Sequence, residues 1–369
     1  MPQPPSPPPG RLAGVDRLRV ALTIGVIATH AVITYAAEGS WFYQEGRLPS
    51  LLATLAGIPL ALGALFGMGI FFFLAGLFLP ASVDRHGAAA LLRERVLRLG
   101  LPPVVFGLLV VPAVQWWVDG ATRPHTSFTA VWAIQLHEFD AGPLWFVWVL
   151  LLFTAVAVPV LGRVGPGAPR PLRGRLLLGC GLFVTVSSFL LRIPFRIDSY
   201  QWGAAHIWQW GQCIGLFVLG LVAGRQGWLT TIPPAIRNAC LAAGLLGVLA
   251  TVALLIASAD DLDPLGGGLH WQSLLVAVVE GVLSVSAAIV LASLVGSGRP
   301  GRLGAVVGPL AYGAYLAQTP VLVGTALALR GASLPTAVKL AVLLPSAVLT
   351  SFAAAALLRR IPALRPVLR

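Results

Sequence analysis

Ten runs of about twenty apolar residues, separated by short clusters of Arg, Pro and Gly, restrict this chain more than any other feature. A hydrocarbon core of about 30 Å is crossed by roughly 20 residues of α-helix. Inside it every backbone N–H and C=O has to be paired within the protein, so helices or a closed barrel are the only choices, and runs of this length are helical. The runs fall near 16–37, 52–79, 97–118, 143–162, 175–192, 206–224, 236–257, 271–295, 304–328 and 335–357. The second is long enough to tilt or break, and Gly57, Pro59, Gly63, Gly67 and Gly69 lie inside it. Charged residues make up only 10% of the chain, against about 25% in soluble domains, which excludes a soluble enzyme. The formal net charge of +12 is dispersed between apolar runs and not interleaved with stacking aromatics. Nucleic acid is therefore not an expected partner, whereas membrane lipids are.

The expected fold is all-α: a polytopic transmembrane helix bundle of about ten spans in one integral-membrane domain, residues 11–369. The stretch "MPQPPSPPPG", residues 1–10, cannot form a helix and lacks the basic start and apolar core of a signal peptide. It reads as a disordered cytoplasmic tail. With that end inside, 19 of the 25 Lys and Arg residues fall in cytoplasmic segments. Arg47, Arg123, Arg192, Arg196, Arg330 and Lys339 stay on the other side, with most of the acids, among them Glu38 and Asp198. Both termini are thus expected in the cytoplasm, with the protein a multi-pass component of the inner (plasma) membrane.

Ionisable residues within a span are costly and point to function. His30, in "VIATHAVITY", lies eleven residues beyond Arg19, about 16 Å along a straight helix and so near mid-membrane. It suits a general base near neutral pH, and it also suits a hydrogen bond between helices. Glu280, in "VAVVEGVLSV", is the one carboxylate deep in a span, and it suits equally a structural partner for an Arg, Trp or Gln side chain. In "LLRERVLRLGLPP", Arg95 and Arg98 are three apart and share a helix face at the cytoplasmic surface. Guanidinium forks there suit a diphosphate; ordinary positive-inside anchoring is the alternative. If they hold a phosphorylated carrier, an arm of about 15–20 Å reaches His30. Coenzyme A has such an arm, ending in a thioester, and His30 would deprotonate a hydroxyl arriving from the other face.

In "DGATRPHTSFTAVWAIQLHEFDAGPLW", the longest outward-facing polar loop, Trp132, His137, Glu138 and Asp140 combine aromatic faces with carboxylates, as sugar-binding sites do. Tyr200, Trp202, His206 and Trp208 add to the same side, where an interfacial aromatic belt is the alternative. His125, His137 and His206 lack ligand spacing, and Cys180, Cys213 and Cys240 show no pairing, so neither a metal nor a disulfide framework is expected.

Several stretches together resemble the acyltransferase-3 family of integral-membrane O-acyltransferases. "GVDRLRVALTIGVIATHA" is similar to the family's first-helix motif, with Asp16, Arg19 and His30, and "GIFFFLAGLFLP" to its Phe-Phe-x-Leu-Ser-Gly segment. "RERVLRLGLPP" carries its Arg-x-x-Arg at Arg95 and Arg98, and "GPLWFVWVLLLF" its Leu-Trp-Phe at Leu144, Trp145 and Phe146. "WQWGQCIGLFVLGLVAGRQGWL" resembles the Phe- and Gly-rich helix of glucan-modifying members. The order holds from about residue 13 to 228. The resemblance implies His30 as catalytic base, Arg95 and Arg98 in acyl-CoA handling, and Asp16 and Arg19 at the cytoplasmic mouth. Acyl-CoA, acetyl-CoA first among the candidates, would be the co-substrate, and a glycan or glycoside the acceptor. Candidate acceptor-binding residues are Trp132, Glu138, Trp145 and Glu280.

The chain departs from the pattern at Ala75, where the family usually has Ser, and at Gln318, where many relatives have His. No Glu follows the Trp of the fourth motif, which favours the glucan-modifying or antibiotic-acylating branch. No soluble esterase-like domain is expected after the last span. The competing class is a multispan transporter or exporter in which His30 and Glu280 relay protons; paired broken helices would mark it, and only the second run looks broken.

Overall fold

The structure, a computed structural model, describes residues 10–36, 41–46, 48–122, 126–165, 168–197, 199, 201–296 and 302–368. The expected tail, but for Gly10, lies outside the described residues, as do Glu38, Arg47, Arg123, His125, Asp198, Tyr200 and Arg299. Apart from its connecting segments the described chain is helical, and no strand occurs among the described residues. Its long helices are α1 (Gly10–Ala36), α2 (Leu51–His86), α3 (Ala88–Thr122), α4 (Phe128–His137) and α5 (Trp145–Arg163). They continue with α6 (Gly174–Arg192), α7 (Trp210–Gln226), α8 (Pro234–Ala257), α9 (Trp271–Gly296), α10 (Ala311–Arg330) and α11 (Thr336–Leu358).

Nine helices among the described residues are long and apolar enough to cross a membrane. The expected ninth span corresponds to α10, which is 20 residues long but less apolar. It buries Gln318 and Thr319 completely, and such polar side chains inside a bundle are what lower its hydropathy. Two expectations need correction. The second run does not break; one π-helical turn, Gly63–Gly67, absorbs its Gly and Pro residues within a continuous helix. The outward polar loop is not all loop, because Phe128–His137 forms α4, with the Ser127 hydroxyl accepting from the Ala130 N–H at its start.

Proline and π turns leave carbonyls without helical donors, and the bundle supplies side chains for them. Pro102 cannot donate to the carbonyl of Arg98, and the Tyr312 hydroxyl donates to it instead at 3.0 Å. Pro112 likewise leaves Leu108 to the indole N–H of Trp132 at 2.9 Å. In the π turn Phe106–Val110, Gln135 Nε2 donates to the carbonyl of Gly107 at 2.8 Å. At the first π turn, Gln212 Nε2 donates to the Ala64 carbonyl and its Oε1 accepts from the Gly69 N–H. Because the hydrocarbon core of a bilayer offers no water to pair with, these bonds replace the missing i→i−4 ladder.

Helix α7 is the centre of the packing. A Cβ at Gly220 would stand 2.2 Å from the carbonyl oxygen of Phe73, and one at Gly224 the same distance from that of Leu77. Across the contact, a Cβ at Gly76 would meet the Phe217 oxygen at 2.3 Å. These small residues let α2 and α7 approach at backbone distance. A second pair on another face, Gly211 and Gly215, admits Ser188 and Val184 of α6. Elsewhere, α1 packs against α9, α10 and α11, which brings its His30 beside the polar stretch of α10.

Candidate active site

His30 stands six residues before the end of α1, on the face turned to α10. Its Nδ1 lies 3.2 Å from Oε1 of Gln318, a side chain with no exposed surface. With the amide oxygen as acceptor, Nδ1 carries the proton and Nε2 keeps the lone pair. The ring stacks on Trp41, centroids 4.1 Å apart and planes 11° from parallel. Trp41 comes from the segment after α1, which is tied down at several points. The Glu45 N–H donates to the Thr34 carbonyl at 2.9 Å, and the Leu48 N–H to that of Tyr35 at 3.1 Å. Glu45 also accepts from the Tyr43 hydroxyl at 2.7 Å and pairs with Lys339 of α11. Burial first, and then the bond to Glu45, raise the Tyr43 phenol above its ordinary pKa, so it remains a donor.

A cavity of about 270 Å³ opens beside the imidazole. Aromatic rings of Trp41, Phe42 and Trp145 wall it, and His206, Asp140 and Gln115 supply polar groups. Trp145 packs against His206, ring centroids 4.7 Å apart and planes tilted by 35°. Asp140 is held by the Gly142 N–H, which donates to its Oδ1 at 2.6 Å, and its own carbonyl accepts from Gln135 Nε2. The segment carrying His206 has a left-handed backbone at Gly203 (φ 70°), Ala204 (φ 50°) and His206 (φ 43°). Non-glycine residues there are strained and persist only when fixed from outside. Trp148 donates to the Gly203 carbonyl, the Gly203 N–H to Phe139, and the Trp210 indole to Ala205.

The basic cluster lies toward the other end of α1. That helix is unbroken, so Arg19 and His30 are separated by about 16 Å of rise. Arg19 lies 3.6 Å from Asp16, and Arg19, Arg95 and Arg98 are close enough to repel one another. The sequence places Arg95 and Arg98 on one α-helical face; Val96–Gly100 is a π turn, and the two guanidinium groups stay near enough to interact. Arg98 lies 4.0 Å from Glu94 and 5.8 Å above the Tyr312 ring, while the Nε of Arg95 is buried with no partner. None of these arginines lines the His30 cavity.

Of the residues expected to bind acceptor, Trp145 lines the cavity and the other three do not. Glu138 is exposed at the end of α4, and Trp132 serves the Leu108 carbonyl. Glu280 is fully buried against Arg192 and Gln212, each donating to it at 2.7 Å. Sequence reasoning passed over Trp41, Phe42 and Gln115. For Gln115 there was a signal, an amide inside the apolar run "VPAVQWWV". Among the described residues no group of three or more His, Cys, Asp or Glu side chains could hold a metal ion.

The family described as an acyltransferase domain, acyltransferase-3, matches the chain over residues 12–360. No curated protein and no solved structure matches it.

Proposed function

The chain belongs to the acyltransferase-3 family and is a membrane-bound acyltransferase, and on that premise we propose that it moves an acyl group from cytoplasmic acyl-CoA to a hydroxyl of a glycan or glycoside held beside His30. The observation that carries the reading is the His30–Gln318 contact at the edge of an aromatic cavity. Nε2 of His30 takes the proton of the acceptor hydroxyl as its oxygen attacks the thioester carbonyl carbon. The tetrahedral adduct then expels the thiolate of coenzyme A. The imidazolium returns its proton to that sulfur, so the products are the ester and free thiol.

The donor end rests on Arg19, Arg95 and Arg98, whose mutual repulsion and buried, unpartnered Nε of Arg95 suit an anionic diphosphate. At the acceptor end, Trp41, Phe42 and Trp145 give faces for a sugar ring, with Asp140, Gln115 and His206 to meet its hydroxyls. The cavity is smaller than the roughly 300–1,000 Å³ of drug-sized sites, so it takes one ring and leaves the rest of the acceptor outside. A proton-relaying transporter would need Glu280 available to His30, and that carboxylate is committed to Arg192.

Solubilised protein given acetyl-CoA and a glycan or glycoside acceptor should release free thiol only when the acceptor is present. His30→Ala should reduce that turnover by about 10²–10⁴-fold, the usual contribution of a general base, with expression unchanged. Turnover retained in His30→Ala removes the imidazole as base.

A further inference from the structure

We propose that a groove between α6 and α7, remote from the His30 cavity, is a binding site for an anionic glycerophospholipid. The groove has a volume of about 1080 Å³. On α7 its wall runs from Ile214 through Val218 and Val222 to Gln226, about 18 Å of helix, which is the length of an acyl chain and not of a headgroup. On α6 the wall includes Phe183 and Gly179; a Cβ at Gly179 would meet nothing within 4 Å, so a larger side chain there would occupy the groove.

Charge identifies the headgroup. Arg170, Arg173 and Arg175 line one end, all three exposed, and no carboxylate among the described residues lines any part of it. None of the three enters an ion pair among the described residues. The segment that carries them is fixed over that end: the Arg170 N–H donates to Gln226 Oε1 at 2.5 Å, and the Trp228 indole donates to the Arg170 carbonyl at 2.7 Å. A tryptophan beside guanidinium groups at the end of two spans matches the headgroup level of a bilayer. Positive-inside anchoring alone does not require three arginines to converge on the mouth of one apolar groove. Each such charge near the anionic headgroup is expected to contribute about fivefold in affinity at low salt.

The test is native mass spectrometry of the full chain in mild detergent, with phosphatidylglycerol and phosphatidylcholine of identical chains supplied in equal amounts. The expected result is preferential retention of phosphatidylglycerol. Arg170→Gln/Arg173→Gln/Arg175→Gln should abolish the preference, Gly179→Leu should lower retention, and Arg359→Gln/Arg360→Gln should leave it unchanged. Equal retention of the two lipids by the unmodified chain, or a preference that survives the triple substitution, overturns the proposal. A phosphatidylglycerol bearing a diazirine in its acyl chain tests it without any variant. Its label should concentrate on residues 176–183 and 214–222, and label spread evenly over the lipid-facing helices rejects the site.

Discussion

Nη2 of Arg192 donates to Oε2 of Glu280 across 2.7 Å, and neither side chain has any exposed surface. The pair links α6 to α9, and Gln212 of α7 completes it by donating to the other carboxylate oxygen. Removing one partner of such a pair leaves an uncompensated buried charge, which costs about 3–5 kcal/mol. Glu280→Ala should therefore lower the apparent Tm sharply, while Arg192→Met/Glu280→Met should recover most of the loss. Thermal unfolding of the three proteins in one detergent checks this. If Glu280→Ala melts like the unmodified protein, the carboxylate does not hold the bundle together.

Gln318 sets the tautomer of His30 in the proposed reaction. Gln318→Leu removes the acceptor at Nδ1, and kcat should fall by at least about tenfold, within the range that general bases contribute, with KM for acyl-CoA unchanged. Gln318→Glu restores an acceptor and should recover activity above that of the Leu variant. Equal loss in both would show that the amide acts only by filling space.

Arg95→Gln and Arg98→Gln should each raise KM for acyl-CoA more than they lower kcat, and the effect should shrink at high salt. A change confined to the acceptor KM would place the donor elsewhere.

Trp132 distinguishes a structural role from a binding one. Trp132→Phe keeps the ring and loses the N–H that serves the Leu108 carbonyl. The expected cost is about 1 kcal/mol of stability, seen as a modest fall in apparent Tm, with the acceptor KM unchanged. A raised acceptor KM with intact stability would return Trp132 to the binding surface.

The bundle was largely legible in the sequence because lipid imposes one rule on every span, an apolar helix of sufficient length. The expected boundaries 175–192, 236–257 and 271–295 lie within two residues of Gly174–Arg192, Pro234–Ala257 and Trp271–Val295. The π turns were not legible, since whether a proline breaks a helix or is absorbed depends on what its neighbours donate. Tyr312 answering the carbonyl of Arg98, which Pro102 leaves free, is a contact across 214 positions of sequence. His30 stands out because an imidazole in an apolar run is costly, whereas Gln318 shows in the sequence only as a departure from a family pattern. His206 stands among the outward-facing candidates for sugar binding, but the left-handed backbone around it, which accompanies its place in the cavity wall, leaves no mark in the sequence. Glu280 draws notice for its cost in a span, and Arg192 and Gln212 meet that cost as the structural partners the sequence reading allows for.

The glycines of α7 have a consequence for how this chain can diversify. Gly220 and Gly224 press on α2 and Gly211 and Gly215 on α6, so even a methyl group at these four sites collides with a neighbour. In a saturation library they should be nearly invariant, and the helix they occupy a fixed spine. Around the cavity the backbone constrains Gly142 and Gly203, both at positive φ, and new acceptor preferences would arise by substitution at lining side chains such as Phe42 and Gln115.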